Sequence, residues 1–408
     1  ISSADLYHNP AWWHFPVGTT TTTCTATDSS GNVGTASFTV TVVLEDAADT
    51  TPPSGTFTVT DGTNGGDCTS IGTWNSGSKT CNVTVDITGN IIIGSDATLA
   101  NGITLNGGQH ELIGDNPYIS TLYMEDQHNV TIENFIFVTN YYGVALRVDG
   151  GSNNQVSYNT FHNTAQTPTF GSYMTGGIFI GAGNSGTPNL EISDNSFYVQ
   201  SQAITSNSGT GITINSNTIQ CITTDYAGAN ACISLQGNTD ATITNNSVTA
   251  HNQDALQVGY ADGGTGGHLV ANNGFSGPPS VTSNHAGLWL VSTGPNNTVS
   301  NNSFSQFWIG IGLCTSWQAT ESNCTPLPYS TTLTGNNVGS DVNFPYLPPE
   351  VDPSYVAPNT VPTLTATAYL NATSPTGRTL SVITDYPNTA EFSIWKSGTR
   401  VLPTGDEC

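Results

Sequence analysis

Basic side chains are nearly absent from this sequence. Only 5 of its 408 residues are Lys or Arg, against 29 Asp and Glu, and the formal net charge at pH 7 is -24. A surface this anionic repels phosphate backbones and anionic lipid headgroups. We therefore expect no nucleic-acid partner.

Long apolar runs are absent as well. No stretch of eighteen or more apolar residues occurs, which predicts no membrane insertion. The chain begins at Ile1 rather than Met and shows no basic leader, so we expect that a secretion signal has been removed.

Metal-binding cysteine and histidine patterns are also missing. None of the eight cysteines lies in a CxxC motif, and the eight histidines form no His-x-His or His-x3-His pair. We predict no metal site and expect each histidine in a solvated loop. The one place with carboxylates for calcium is the linker with Glu45, Asp46 and Asp49, although a solvated Pro-rich hinge is the simpler interpretation. No other cofactor is predicted.

Six cysteines instead lie in local pairs 10 to 13 residues apart. This spacing predicts disulfides and an oxidising, extracellular or cell-surface location. The predicted pairs are Cys68 with Cys81, Cys221 with Cys232, and Cys314 with Cys324. Glycosylation sequons agree with secretion, although Asn-rich turns generate some by chance. They begin at Asn82, Asn129, Asn245, Asn296, Asn301, Asn323 and Asn371.

A six-residue pattern of apolar, polar, any, Asn, any, apolar recurs through the middle of the chain. It begins at Val156, Ile192, Ile214, Ile243, Val270, Val299 and Leu333, with an eighth copy at Ile132 that lacks the Asn. Between the copies a second apolar segment recurs, as in GVAL from Gly143 and GLWL from Gly287. Short strands repeating at this irregular interval are typical of the coils of a parallel β-helix.

Stacked coils place equivalent residues one above another. We expect Ile, Val and Phe columns inside the helix and a ladder of asparagines at one turn, where Asn would adopt the left-handed conformation. The predicted ladder is Asn159, Asn195, Asn217, Asn246, Asn273, Asn302 and Asn336. The alternative is a β-sandwich with Asn-rich turns, which does not require register between distant strands.

The segment ITLNGGQHELIGD from Ile103 resembles the opening coils of the pectate-lyase-like right-handed β-helix superfamily. The resemblance covers roughly residues 60–345 and implies a fold of about ten coils. It implies no single function, because the superfamily contains lyases, hydrolases, adhesins and spacers.

Residues 16–42 resemble the second half of a hyalin-repeat domain, an extracellular immunoglobulin-like sandwich, with FPVG just ahead of two alternating strands. Residues 363–408 resemble the opening strands of the same module. The resemblance thus implies an all-β protein in which a sandwich is split between the two ends. The predicted segments are the second half at 1–45, a linker at 46–59, the β-helix at 60–345, a Pro-rich linker at 346–362 and the first half at 363–408.

The two halves require each other to form a core. Cys24 and Cys408 are the cysteines without near neighbours, and a disulfide between them would seal the joint. The halves could meet between molecules, within one molecule, or as one period of a longer polypeptide, and two independent stub domains are the alternative. We favour a head-to-tail homopolymer, with Trp12 and Trp13 as interface anchors or as part of the rebuilt sandwich core.

Catalytic signals are weak. A lyase needs basic side chains, and the coils carry only Lys79 and Arg147. A polygalacturonase-like hydrolase would use Asp240, Asp254 and His285, but the second Asp of its pair is missing. We therefore predict a structural subunit of an extracellular filament or surface layer rather than an enzyme. The chief alternative is a carbohydrate-active enzyme or a glycan-binding protein that uses the region of Asp240, Asp254 and His285. A third possibility is an adhesin that displays the inserts at 162–176 and 314–330 to a host or neighbour, for which the sequence indicates no ligand.

Overall fold

The structure is a computed structural model. It describes residues 18–27, 29–42, 51–94, 100–114, 120–139, 143–163, 175–181, 187–200, 202–222, 231–259, 266–278, 285–291, 293–315, 324–325, 327, 331–347, 363–366, 380–383, 394–396 and 399–401. The chain divides into two compact units, Ile1–Thr51 and Pro52–Cys408.

The first unit contains one antiparallel hairpin. Gly18–Thr27 pairs with Val33–Val42 in a two-stranded sheet, in which Cys24 lies opposite Ala36. Both strands are rich in Thr, and the second also in Val, and these β-branched residues favour the extended conformation. The rest of the predicted segment 1–45, including Trp12 and Trp13, lies outside the described residues.

The second unit contains a parallel β-helix, as predicted. From Thr104 onward each coil contributes one strand to each of three faces, which we name A, B and C in the order that the repeat visits them. Face A has ten parallel strands, preceded by the antiparallel strand Gly72–Asn75. Its parallel strands are Thr80–Val83, Thr104–Asn106, Thr131–Glu133, Gln155–Ser157, Glu191–Ser193, Thr213–Asn215, Thr242–Thr244, Leu269–Ala271, Asn297–Ser300 and Thr331–Thr334.

Faces B and C complete the coils. Face B consists of Glu111–Gly114, Ile136–Thr139, Thr160–Asn163, Ser196–Val199, Thr218–Cys221, Ser247–Ala250, Gly274–Ser276, Ser303–Ser305 and Asn337–Val338. Face C consists of Ser54–Val59, Ile87–Ile93, Leu122–Glu125, Leu146–Asp149, Thr175–Gly181, Gln202–Ser206, Ala231–Leu235, Asp254–Val258, Ala286–Val291, Ile309–Cys314 and Phe344–Leu347. A further short pair joins Gly209–Thr210 to Asn238–Thr239 beyond face C.

The core is a set of stacked apolar columns, as predicted. On face B the rings of Phe137, Phe161 and Phe197 stack with centroids 4.7 and 4.5 Å apart, and all three are buried. The inward residue of each face A strand from Ile132 to Leu333 is the first apolar residue of the repeat. Alternation of inward apolar and outward polar residues thus fixes the register of every coil.

Seven asparagines form a hydrogen-bonded ladder at the corner between faces A and B. Asn217 donates from its backbone N and its Nδ2 to Oδ1 of Asn246, at 2.9 and 3.0 Å. Asn246 Nδ2 in turn donates to the carbonyls of Ile214 and Thr244, both at 2.9 Å. Each rung therefore satisfies corner polar groups that water does not reach. The rungs are the predicted asparagines, from Asn159 to Asn336.

The left-handed conformation was predicted for the ladder asparagines, and this prediction was wrong. It belongs to the residue before each of them, such as Ser216 with φ 57° and Asn245 with φ 58°. That residue makes the reversal and points outward, whereas the ladder asparagine turns its amide along the corner. Asparagine is thus required in the repeat for its amide rather than for its backbone freedom.

The β-helix extends beyond its predicted boundaries at both ends. Ser54–Val59, in the predicted linker 46–59, pairs in parallel with Ile87–Ile93. Phe344–Leu347, at the start of the predicted Pro-rich linker, pairs with Ile309–Cys314. Ser54–Val59 directly follows two prolines, and Phe344–Leu347 contains Pro345 and is followed by two more, which conceals the strand signal in both. In addition, the first face C segment was predicted at GVAL and lies three residues later, at Leu146–Asp149.

The three predicted local disulfides are present. Cys68, in the four-residue helix Cys68–Ile71, joins Cys81 in the first parallel strand of face A. Cys221 joins Cys232 across the corner between faces B and C, and Cys314 joins Cys324 beyond the end of a face C strand. Within the described ranges, no helix is long and apolar enough to cross a membrane.

The described C-terminal residues form two further hairpins. Thr363–Ala366 pairs antiparallel with Leu380–Ile383, and Ile394–Lys396 pairs antiparallel with Thr399–Val401. Each is a separate two-stranded sheet. Cys408 lies outside the described residues, as do Glu45, Asp46 and Asp49 of the proposed calcium segment.

Candidate functional site

Face C is the face bordered by long inserts. The B–C corner contains from two to eleven residues and the C–A corner from five to sixteen, whereas the A–B corner contains two residues in eight consecutive coils. The inserts that the sequence analysis assigned to an adhesin, at 162–176 and 314–330, leave from these two corners. Loops on a rigid scaffold commonly carry binding residues, so face C is the natural place for a site.

A partly exposed column of outward side chains crosses three adjacent coils of face C. Tyr123 pairs in register with Arg147, and Arg147 with Phe179. The Arg147 guanidinium carbon lies 5.8 Å from the centroid of the Tyr123 ring and 5.4 Å from that of Phe179. The arginine is thus held between two aromatic rings, with 47% of its side chain exposed.

Two carboxylates lie beside this stack. Arg147 Nε donates to Asp149 Oδ2 at 2.7 Å, and the Tyr123 hydroxyl donates to Glu125 Oε2 at 2.7 Å. Burial, together with the hydrogen bond to Glu125, raises the pKa of Tyr123, so its hydroxyl stays protonated as a donor. Asp149 Oδ1 is buried and has no hydrogen-bond partner among the described residues. We name Tyr123, Glu125, Arg147, Asp149 and Phe179 the face C stack.

Beyond Phe179 the same outward column is buried. It continues in register through Thr205, Ser234, Gln257 and Trp289, each 6% exposed or less. Trp289 packs in a second apolar cluster on the outside of face C, together with Val291 and Leu347. The part of the column that solvent reaches is therefore confined to the three coils that contain Tyr123, Arg147 and Phe179.

The structure brings together two of the three predicted catalytic residues. Asp254 is buried at the start of a face C strand and accepts from Ala286 N at 2.7 Å, while His285 Nδ1 lies 3.7 Å from Asp254 Oδ1. Asp240 is exposed, five residues beyond Leu235 at the opposite edge of face C. The register places Asp254 beside Ala231 and Ala286, so no second carboxylate flanks it in the stack. An inverting hydrolase needs two carboxylates around one water, and within the described residues the Asp254–His285 pair supplies one.

Two described histidines depart from the solvated-loop prediction, His162 because it lies in the face B strand Thr160–Asn163 and His268 because it is buried. His268 is 1% exposed at the C–A corner, and its Nδ1 accepts from Ala241 N at 3.2 Å. Burial lowers its pKa to about 4, against a smaller opposing effect of Asp240. In the neighbouring coil Asn297 Oδ1 accepts from His268 N at 3.1 Å, so the histidine takes the place of a corner amide. Within the described ranges, no group of three potential ligands is arranged to hold a metal ion.

The sequons coincide with elements of the fold. Asn129, Asn245, Asn296 and Asn301 are exposed left-handed corner residues at the two edges of face A. Asn82 is half-buried, and its Oδ1 accepts from Asn106 Nδ2 at 3.3 Å. At Asn245 and Asn301 the next residue is a ladder asparagine, and the serine after it begins a face B strand. The corner alone accounts for these two sequons. Asn323 and Asn371 lie outside the described residues.

Sequence analysis missed the face C stack. Tyr123, Arg147 and Phe179 are separated by 24 and 32 residues and share no motif, so only the register of the strands brings them together. The one signal in the sequence that pointed to this site is Arg147 itself, because it is one of two basic residues in the coils and lies between two apolar residues of a strand.

Comparisons with known proteins find a domain-family match at one end of the chain and a similar solved structure. Residues 6–42 match the HYR domain family, which supports the predicted hyalin-repeat segment at the N-terminus. The chain is similar in structure to PfbA, a surface adhesin of Streptococcus pneumoniae, with 14% sequence identity and a TM-score of 0.42. That similarity covers 70% of this chain and 83% of that chain. No curated protein matches the chain in sequence.

Proposed function

We propose that this protein is a structural subunit of an extracellular filament or surface layer, in which β-helices are joined head to tail through their hyalin-repeat-like segments. The observation that carries the proposal is that the HYR-matched segment and the C-terminal segment contain only two-stranded hairpins within the described residues. Isolated hairpins are marginal in water, whereas an immunoglobulin-like sandwich buries a core between two sheets. Pairing of the two segments would give both a core.

The cysteines support the same assembly. Six of the eight are used in the three disulfides of the β-helix, and the remaining two, Cys24 and Cys408, lie one in each segment. A disulfide between Cys24 of one molecule and Cys408 of the next would seal each joint. Because a non-closing head-to-tail contact propagates, the product is a filament.

The β-helix suits a load-bearing role. Its coils are joined by the amide ladder, and the three disulfides each lock a local segment of the β-helix. We propose a structural protein without catalytic activity, metal or cofactor, and with copies of itself as partners. Disulfides and an HYR-matched segment support an extracellular or cell-surface location.

The test is electrophoresis and negative-stain microscopy of the native material, with Cys24→Ser and Cys408→Ser as variants. We expect a non-reduced ladder of multimers that collapses on reduction and is lost in either variant. The matched control, Cys221→Ser with Cys232→Ser, removes a disulfide inside the β-helix and should leave the multimer bands on the non-reducing gel unchanged. A monomer whose Cys24 and Cys408 are both free thiols would refute the proposal.

A second function, glycan-binding adhesion, is favoured by one observation. The face C stack holds an exposed arginine between two half-buried aromatic rings beside insert-bearing corners, and the carboxylates Glu125 and Asp149 add acceptors. Arg147→Ala should abolish binding to an acidic polysaccharide if face C is an adhesive surface.

Asp254→Asn in an assay of polysaccharide cleavage tests the weaker enzymatic alternative, since a change in product release would assign a catalytic role to Asp254.

A further inference from the structure

Two exposed tyrosines lie at the A–B corner and on the outer surface of face B. Only three large apolar side chains are exposed in the part of the chain that the structure describes, Val33, Tyr158 and Tyr198. The two tyrosines belong to adjacent coils. Tyr198 lies on face B in register with His162, and their ring centroids are 5.6 Å apart.

Tyr158 occupies a position where the fold disfavours an aromatic residue. It is the left-handed residue of its A–B corner, with φ 58°, and its ring is 58% exposed. The equivalent residues in the other coils are small or have short polar side chains, and among them are Asn134, Asp194 and Ser216. Neither backbone preference nor packing accounts for a tyrosine here, and unfavourable backbone of this kind concentrates at functional sites.

Both tyrosines lie within the reach of one short oligomer. Tyr158 N donates to Ser193 O of the coil that carries Tyr198, at 3.4 Å. Tyr158 precedes His162 by four residues, so the Cα atoms of the two tyrosines are at most about 14 Å apart. The A–B corner has no insert, so no loop of this corner covers the surface between them.

The chemistry around the rings selects the ligand. Neighbouring outward side chains are Gln155, Ser157, Asp194 and Ser196, which offer hydroxyl, amide and carboxylate groups. The described coils contain two basic side chains, and neither belongs to this site. Lys79 is ion-paired near the first coil, and Arg147 is part of the face C stack. An anionic ligand would be repelled, and two separated rings cannot cover an apolar helix.

We infer that Tyr158, His162 and Tyr198 form a binding site for a neutral oligosaccharide on the A–B side of the β-helix. Flat aromatic rings stack on the C–H faces of sugar rings, and the tyrosine hydroxyls and nearby polar groups bond the sugar hydroxyls. The site is distinct from the face C stack and independent of filament assembly.

Saturation-transfer NMR on the full chain tests this inference, with cellohexaose, mannohexaose and xylohexaose as probes. We expect at least one probe to receive saturation from the wild type, and Tyr158→Asn to weaken its binding at least tenfold. Tyr158→Asn should also slow amide exchange at the corner, because asparagine is the common residue of this column. Loss of binding with increased local protection separates a lost contact from a folding defect.

Tyr123→Ser on face C and Ser216→Asn in the same corner column are the matched controls, and both should bind like the wild type. Absence of saturation transfer from all three probes overturns the inference. So does binding that survives Tyr158→Asn, or that is lost in Tyr123→Ser, since the latter would place the sugar on face C.

Discussion

The A–B corner turns with two residues in eight consecutive coils, whereas the B–C and C–A corners change in length from one coil to the next. At the constant corner each coil hydrogen-bonds to the next through a ladder asparagine, so an added residue would break two coils at once. At the variable corners an insert lies between two strands that are already paired with the neighbouring coils, so the insert does not disturb the strand pairing. The difference shows where the fold is specified and where the chain is free to acquire function.

Removing one rung should give the largest effect. In Asn246→Ala, the backbone N of Asn217 and the carbonyls of Ile214 and Thr244 lose their partners in a buried corner. We expect the free energy of unfolding to fall by about 3–5 kcal/mol, because each buried unsatisfied group costs about 1–3 kcal/mol. Urea denaturation followed by circular dichroism measures the loss.

The neighbouring Asn245→Gly is the control for this rung. Asn245 is exposed and left-handed, so glycine keeps the corner conformation and should change stability by less than about 1 kcal/mol. Equal losses in the two variants would contradict a ladder whose contribution comes from its amide groups.

The C–A corner, which contains the buried His268, should make the stability of the protein depend on pH, whereas the asparagines of the A–B corner do not titrate. The folded-state pKa of His268 is lowered to about 4, so the unfolded chain binds a proton that the folded chain does not between about pH 6.5 and pH 4. Stability from this group is therefore present above pH 6.5 and declines as the pH falls to 4, by up to about 3 kcal/mol.

In His268→Asn this acid-dependent loss should disappear. Asparagine is the residue of the next coil at this position, Asn297, and its Oδ1 can accept from Ala241 N as the histidine Nδ1 does. Unfolding midpoints of the two proteins at pH 7 and pH 4.5 provide the measurement. An unchanged pH dependence in the variant would show that other groups titrate instead.

The disulfide at the root of a B–C insert should contribute somewhat less. Cys221 and Cys232 close a loop of 11 residues in sequence separation, for which chain entropy gives about 2–3 kcal/mol. The double variant Cys221→Ser, Cys232→Ser should lose this amount, and hydrogen exchange should show the loss near the B–C corner. Uniform deprotection along all coils would contradict the view that the variable corners are stabilised locally.

The sequence predicts the constant corner far better than the variable ones. A motif that joins a face A residue, a ladder asparagine and a face B residue within six positions can be read without any structure, as from Val156 to Phe161. The local disulfides can be predicted equally well, because the two cysteines of each pair are close in sequence. The strand at Ser54–Val59 was missed because its pairing with Ile87–Ile93 leaves no repeat in the sequence.

Sites that depend on register between distant coils could not be predicted. The contact of Arg147 with Tyr123 and Phe179 follows from strand pairing across inserts of different lengths. The burial of His268 likewise follows from the stacking of corners, since its neighbours in sequence resemble those of an exposed loop. Asp254 and His285, grouped in the sequence analysis by their likeness to a polygalacturonase-type motif, lie close together, but Asp240 belongs to the other edge of the face.

The smallest expected effect tests the conformation of the constant corner rather than its hydrogen bonds. Ser216 is exposed and left-handed, and asparagine tolerates this conformation better than serine does. Ser216→Asn should therefore stabilise the protein by about 0.5 kcal/mol, whereas the β-branched Ser216→Val should destabilise it by about 1–2 kcal/mol. Both changes leave the ladder amide of Asn217 intact. If valine were tolerated as well as asparagine, the uniform corner would have to be explained by the ladder alone, without a backbone requirement at the residue before it.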